Sequence, residues 1–330
     1  RMRDDSFKLG KDYPAYGLFQ PSFGDGGIYG PEPEYTTPMN VILGLSDAYR
    51  AGKRLKLPRY EEFGVFAQEL MARMRECIER DRGTTPEGIP YVPLSMAENE
   101  SYKPQTGCAT IARVAFHGEF EPDDRIVTDL LRLIDACDDR EGIPECTGWR
   151  SDQSIYTYSS VRFAQLLLQA GQREKAADYL YAFANHASAS RVWREEQPVR
   201  ETHSAEICGD MPHNWASVEF IRLVRNLVVL ETFTGVELLP GLPEEWLPRA
   251  GDSLVLEKTP TRFGKLSLEL SVRGRGGYLL SVAREDGNQQ PQYLRLHWAG
   301  KAVLDGGELE KSNGKYLLPL EEKQVCIELF

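Results

Sequence analysis

The residues of this chain best suited to chemistry are the carboxylates of its long polar loops. Asp25, Glu32 and Glu34 lie in one such loop; Glu195, Glu196, Glu206 and Asp210 follow one another through a later stretch. Two carboxyl groups on opposite sides of a bound molecule can act as general acid and general base, if burial or a nearby negative charge keeps one of them protonated. Aromatic and polar side chains accompany them: Tyr91, Gln105, Trp149, Asp152, Tyr156 and Trp193, with His213 and Trp215 at the start of a helical stretch. Aromatic faces stack on apolar C–H faces, while Asp and Gln hydrogen-bond hydroxyls, so this set suits a neutral, hydroxyl-rich ligand. Arg150 and Arg194 add guanidinium forks that can hold a carboxylate bidentately.

Several other chemistries lack their residues. The five histidines show no H-x-x-x-H or comparable spacing, so no metal site is expected, and no motif implies a cofactor. The G-x-S-x-G elbow of serine hydrolases is absent. Gly24-Asp25-Gly26-Gly27 is not a phosphate-binding loop, since no strand precedes it and no Lys-Ser/Thr follows; a plain glycine turn describes it equally well. Asp210 with Pro212 just beyond it also reads as a helix cap, which is sufficient reason for both residues.

The chain has 330 residues, with 39 Lys+Arg against 50 Asp+Glu and a formal charge of −11. That length suggests two domains. A negative balance without a basic block argues against a nucleic-acid partner, because phosphate binding needs a cationic stripe. No apolar run approaches the ~20 residues of a membrane-spanning helix. The six cysteines form no C-x-x-C pair, and reduced, buried thiols are expected. Arg1-Met2-Arg3-Asp4-Asp5 has no apolar leader, so the expected location is cytoplasmic.

Helical spacing of apolar residues predicts helices over 37–53, 60–82, 105–118, 124–138, 155–170, 172–187 and 213–232. A repeat organises them. Glu87-Gly88-Ile89-Pro90 recurs about 54 residues later as Glu141-Gly142-Ile143-Pro144, and a further step reaches Arg194-Glu195-Glu196-Gln197-Pro198. One step back falls in the loop of Asp25, Glu32 and Glu34. Equal helical hairpins with their long loops at one end predict a solenoid or a closed α/α toroid, whose centre is lined by the helix after each long loop. Loops of this length are usually functional, so the site is expected where they converge.

Near residue 235 the pattern changes. Leu238-Leu239-Pro240-Gly241-Leu242-Pro243 interrupts the helical spacing, and short alternating runs follow at 266–270, 278–282 and 293–298. Turn signals separate them, which predicts an antiparallel β-sandwich. The expected architecture is therefore mostly α with a β domain: an α/α-hairpin catalytic region over 1–235 and a small antiparallel β-sandwich over 236–330.

This combination resembles the six-hairpin glycosidases, the (α/α)6 toroids of glucoamylase-like and α-L-rhamnosidase-like enzymes. Glu196-Gln197 is similar to the Glu-Gln pair that holds the catalytic base in the bacterial glucoamylase-like group. His213-Asn214-Trp215 resembles the Trp-containing start of the last inner helix, and Thr259-Pro260-Thr261-Arg262-Phe263-Gly264 the strand entry of the rhamnosidase-like sandwich. The resemblance implies a glycoside hydrolase, inverting, with Glu196 as base and Asp25 as acid. Glu34 is the reserve acid and Glu206 the rival base. Tyr91, Gln105, Trp149, Asp152, Tyr156, Trp193, Arg194, Asp210, His213 and Trp215 would bind the sugar. The family's aromatic-Glu pattern at the acid is not kept, because Ile28-Tyr29 is followed by Gly30. A full toroid has twelve helices against about seven expected here. The chain is thus expected to be the C-terminal portion of a longer enzyme, completed by a missing N-terminal part or by a second copy. Two alternatives remain open: an α/α-toroid polysaccharide lyase acting on uronates through Tyr or His, and a non-catalytic carbohydrate-binding helical repeat.

Overall fold

The structure is a computed structural model that describes residues 1–23, 31–97, 108–137, 142–145, 147–148, 154–198, 209–274, 276–287 and 289–330. Eight helices are described: α1 (Met2–Phe7), α2 (Thr36–Leu55), α3 (Tyr60–Asp81), α4 (Cys108–Phe116), α5 (Arg125–Cys137), α6 (Thr157–Gln169), α7 (Arg173–Asn185) and α8 (Asn214–Val228). The chain divides into two compact units, one of Arg1–Ala170 and Ala182–Glu219, the other of Gly171–Tyr181 and Phe220–Phe330.

In the first unit, α2 and α3 form a hairpin. Their buried rows, Met39, Ile42, Leu43 and Ser46 on one and Ala67, Leu70, Met74, Cys77 and Ile78 on the other, keep the three-four spacing of a packed helix face. Phe63, one turn before Ala67 on α3, is exposed. Helix α5 begins where Asp124 Oδ1 accepts the Ile126 amide at 3.0 Å, an aspartate cap. Helix α4 packs against α2, α5 and α6. Helix α6 is buried almost all round, from Thr157 to Leu168, as a helix largely free of charge should be. Its single charge, Arg162, meets buried Glu219 of α8 at 3.2 Å.

Short antiparallel ladders occupy the long loops: β1 (Ser22–Phe23) with β2 (Pro31–Glu32), β3 (Gly83–Thr84) with β4 (Pro90–Tyr91), and β5 (Ser154–Tyr156) with β6 (Glu196–Pro198). The repeat survives in backbone conformation. Gly88 and Gly142 both take left-handed φ, +83° and +78°, which a side chain would resist.

The second unit carries eleven strands: β7 (Val229–Glu231), β8 (Gly235–Leu238), β9 (Ser253–Thr261), β10 (Gly264–Arg273), β11 (Gly277–Asp286), β12 (Tyr293–Leu296), β13 (Ala302–Leu304), β14 (Gly307–Glu308), β15 (Lys311–Ser312), β16 (Lys315–Leu318) and β17 (Gln324–Leu329). They form a six-stranded sheet, β14-β13-β17-β11-β10-β9, and a five-stranded one, β15-β16-β12-β8-β7. Leu266, Leu268 and Leu270 alternate inward along β10 and share one core with Val236, Leu238, Leu294 and Leu296 of the other sheet.

Two features depart from expectation. The pairing of β8 with β12 is parallel, so the sandwich is not purely antiparallel. The helix predicted over 213–232 stops at Val228, and Val229–Glu231 become β7. The apolar run Leu227-Val228-Val229-Leu230 fits a buried helix or a buried strand equally well. The Thr232 hydroxyl accepts the Gly235 amide at 2.9 Å, closing the turn that pairs β7 with β8. None of the four described cysteines, Cys77, Cys108, Cys137 and Cys326, is in a disulfide. Among the described residues, no helix is long and apolar enough to cross a membrane.

Candidate active site

The β5–β6 ladder brings two distant loops together at the entrances to α6 and α8. Tyr156 pairs with Glu196, and Ser154 with Pro198. The Thr157 hydroxyl donates to the carbonyls of Arg194 and Glu195 at 2.7 and 2.9 Å, fixing the start of α6 to the strand beside it. The Glu195 amide donates to the Asp210 carbonyl at 3.1 Å, and the His213 amide to the Trp193 carbonyl at 2.8 Å. Backbone bonds alone therefore place 193–196 beside 210–213.

The two neighbouring glutamates have different surroundings. Glu196 is fully buried, and its Oε1 accepts the Ser154 hydroxyl at 2.9 Å. Glu195 is half-buried and lies with Asp210 and His213, one ligand-capable atom of each within 4.8 Å of the others. Gly209, at φ +83°, closes on the Glu195 side chain so tightly that a Cβ there would collide with it.

His213 Nδ1 is 2.7 Å from Asp210 Oδ1. That bond holds the exposed Asp210 carboxyl below its ordinary value. The other ring nitrogen, Nε2, is buried and has no hydrogen-bond partner among the described residues. A carboxylate on one nitrogen fixes the tautomer and leaves the second to accept or deliver a proton. The cluster could also offer a cation one nitrogen and two carboxylates. Histidine spacing alone could not reveal it, because Glu195 comes from a separate part of the chain.

Aromatic rings back this group. Tyr158 stacks on His213 with centroids 5.4 Å apart and meets Trp215 edge-on at 5.3 Å. The hydroxyls of Tyr156 and Tyr158 are in close contact. Arg162 covers the Tyr158 ring at 4.7 Å. Trp215 is 53% exposed, so one face remains open to a ligand.

Glu196, Tyr156, Arg194, Asp210, His213 and Trp215 thus gather around one ladder and two helix starts. Arg194 is half-buried, and its Nη1 donates to the Gly209 carbonyl at 3.3 Å. Trp193 is close in sequence, but its ring is used in packing. It stacks on Phe183 at 4.7 Å and 12°, and its Nε1 donates to the Phe183 carbonyl at 2.8 Å, so it offers no open face to a sugar. Glu34 is buried at a backbone bridge to Ser95. Tyr91 stands on the β3–β4 ladder with its ring over Gly83. Asp25, Gln105, Trp149, Asp152 and Glu206 lie outside the described residues, as does Arg150. Tyr158 and Arg162, which read as ordinary helix positions in the sequence, also lie in this group, and Glu195 stands in it beside Glu196.

No protein-family model matches the sequence, and no curated protein matches it. Among solved structures, the chain is similar to a glycosidase at 14% identity, over 63% of this chain and 55% of that one, with a TM-score of 0.49. It is also similar to a GH127 beta-L-arabinofuranosidase from Geobacillus Stearothermophilus, at 9% identity over 68% and 41% of the two chains, TM-score 0.39. A Streptococcus pneumoniae alpha mannosidase, from a family described as metal-independent, matches at 13% identity over 58% and 46%, TM-score 0.40. The chain spans about half the length of these structures.

Proposed function

We propose that this chain hydrolyses glycosidic bonds, with its site at the entrances to α6 and α8. One observation carries the reading: the carboxylates of Glu195 and Asp210 cluster with His213, whose ring meets the exposed ring of Trp215. A sugar needs both parts, a ring to stack on and charged groups to bind hydroxyls and move protons. Glu195 is the better base than Glu196, because a base must reach a water and Glu196 is closed off from solvent. Glu195 and Asp210 are too close to hold a water between them, since inverting enzymes need ~6.5–9.5 Å. They therefore form one wall. The acid is assigned to the loop of Asp25, giving an inverting reaction. The packing of α4 against α2 and against α6, alternate helices in the chain, supports reading the helical unit as part of a six-hairpin toroid.

A polysaccharide lyase acting on uronates is the second reading. Its support is the Asp210–His213 pair stacked on Tyr158, whose hydroxyl touches that of Tyr156. A His or Tyr base of this kind abstracts a proton next to a uronate carboxylate.

The test is a panel of neutral oligosaccharides, aryl glycosides and polyuronates, with products followed by NMR. A hydrolase releases a reducing sugar, and an inverting one gives a first-formed anomer of opposite configuration to the substrate. An unsaturated, ultraviolet-absorbing product would replace the first reading by the second, and turnover of none of the panel would sink both.

A further inference from the structure

A cleft of about 530 Å3 lies entirely within the second unit, between the first turns of α7 and the segments 239–247 and 297–300. That volume is typical of small-molecule sites, roughly 300–1,000 Å3. Leu242, Pro243 and Leu247 supply apolar surface, and Trp298 supplies a flat ring. The ring is held in advance: its Nε1 donates to the Phe330 carbonyl at 3.2 Å, and Tyr278 meets it edge-on at 5.6 Å. A pre-positioned aromatic face binds a ligand without first losing rotamer freedom.

The polar lining decides the class of ligand. Glu174, Asp178, Glu244 and Glu245 face a single guanidinium, Arg173, and the imidazole of His297, whose Nε2 is already engaged by Glu237. This excess of carboxylates repels phosphates and uronates. Two of the four already have donors, however. Arg173 Nε is 2.7 Å from Glu174 Oε1, and the Tyr181 hydroxyl bonds Glu245, holding that carboxyl below its ordinary value. Asp178 and Glu244 make no side-chain hydrogen bond among the described residues. What remains is a stacking face with two acceptors that have no hydrogen-bond donor among the described residues, more than a hydrocarbon needs and matched to the donating hydroxyls of a sugar.

We propose that this cleft is a second saccharide site, binding a neutral sugar with its ring face on Trp298 and its hydroxyls donating to Asp178 and Glu244. It goes beyond the hydrolytic reading and does not depend on it, since none of its residues belongs to the Glu195 site.

Calorimetric titration with maltose and cellobiose tests this, using the 330-residue chain carrying Glu195→Gln to suppress turnover. The expected result is saturable millimolar binding of at least one disaccharide. That event should weaken at least about ten-fold, roughly the loss of one good hydrogen bond, when Asp178→Ala or Glu244→Ala is added. Both positions are exposed, so each variant should keep its melting temperature. Trp215→Ala, at the other site, should leave the event unchanged. No saturable binding overturns the proposal, as does binding that survives both cleft substitutions or disappears with Trp215→Ala. Saturation by tetramethylammonium chloride and by neither disaccharide would reassign the cleft to an organic cation.

Discussion

Glu195 and Glu196 are adjacent in the chain, yet one carboxylate joins Asp210 and His213 at the surface while the other is sealed inside on the hydroxyl of Ser154. Successive side chains on extended backbone point to opposite sides, so only one of two neighbouring glutamates can face a ligand here.

The pair gives a direct comparison. Glu195→Gln should lower kcat by about a hundred-fold or more, the usual contribution of a positioned acid or base, with the melting temperature unchanged. Glu196→Gln should stay within about ten-fold of the parent rate and show its effect in thermal unfolding. Steady-state kinetics on a substrate identified by the panel would decide, and the opposite order would return the base role to Glu196.

The two tryptophans should separate in the same way. Trp215, half exposed, should when replaced by Ala raise KM and leave stability nearly unaltered. Trp193→Ala removes a ring packed on Phe183 and should cost about 3–5 kcal/mol. Denaturant titration beside substrate saturation curves checks both halves.

Arg162 and Glu219 form a buried pair, 12% and 5% exposed at their side chains. Arg162→Met removes the guanidinium that meets the buried Glu219 carboxylate and covers the Tyr158 ring, at a cost of about 3–5 kcal/mol. Arg162→Met with Glu219→Leu should recover most of that loss. A double variant no more stable than the single would show that the pair itself, and not the remaining buried carboxylate, holds α6 to α8.

In the β unit, burial opposes ionisation of Glu237, but the hydrogen bond from His297, with Lys315 and Arg295 nearby, outweighs it and lowers its pKa. A carboxyl lowered by folding stabilises the native state above its ordinary value, near 4.5, and that contribution fades as pH falls through the lower folded value. Acid should therefore destabilise this unit across the carboxylate range. Glu237→Gln should flatten that part of the profile and cost about 2 kcal/mol at neutral pH, the scale of a charged hydrogen bond. Unfolding followed at a series of pH values measures both effects.

The helices were legible because burial imposes a period: Ala67, Leu70, Met74 and Ile78 show it in the bare sequence, as Leu266, Leu268 and Leu270 show the two-residue alternation of a strand. Where period is silent, reading failed. Four apolar residues at 227–230 look alike in either state, and the turn at Thr232 decides between them. The candidate site was legible as composition, carboxylates beside aromatics in long loops. Which glutamate faces outward depends on the pairing of β6 with a strand some forty residues away. Tyr158 carries no sequence signal at all; only the stacking of its ring on His213 marks it.

Gly209 gives the site a weak point of an unexpected kind. Its close approach fixes where the Glu195 carboxylate can lie, so the smallest addition, a methyl group, must push that carboxylate aside. Activity is then open to loss at a residue with no functional group, and a survey confined to charged and aromatic positions would pass it by. With Glu195 as the proposed base, the same position offers a way to retune the site: a substitution there re-aims a carboxylate oxygen while Glu195, Asp210 and His213 keep their identities.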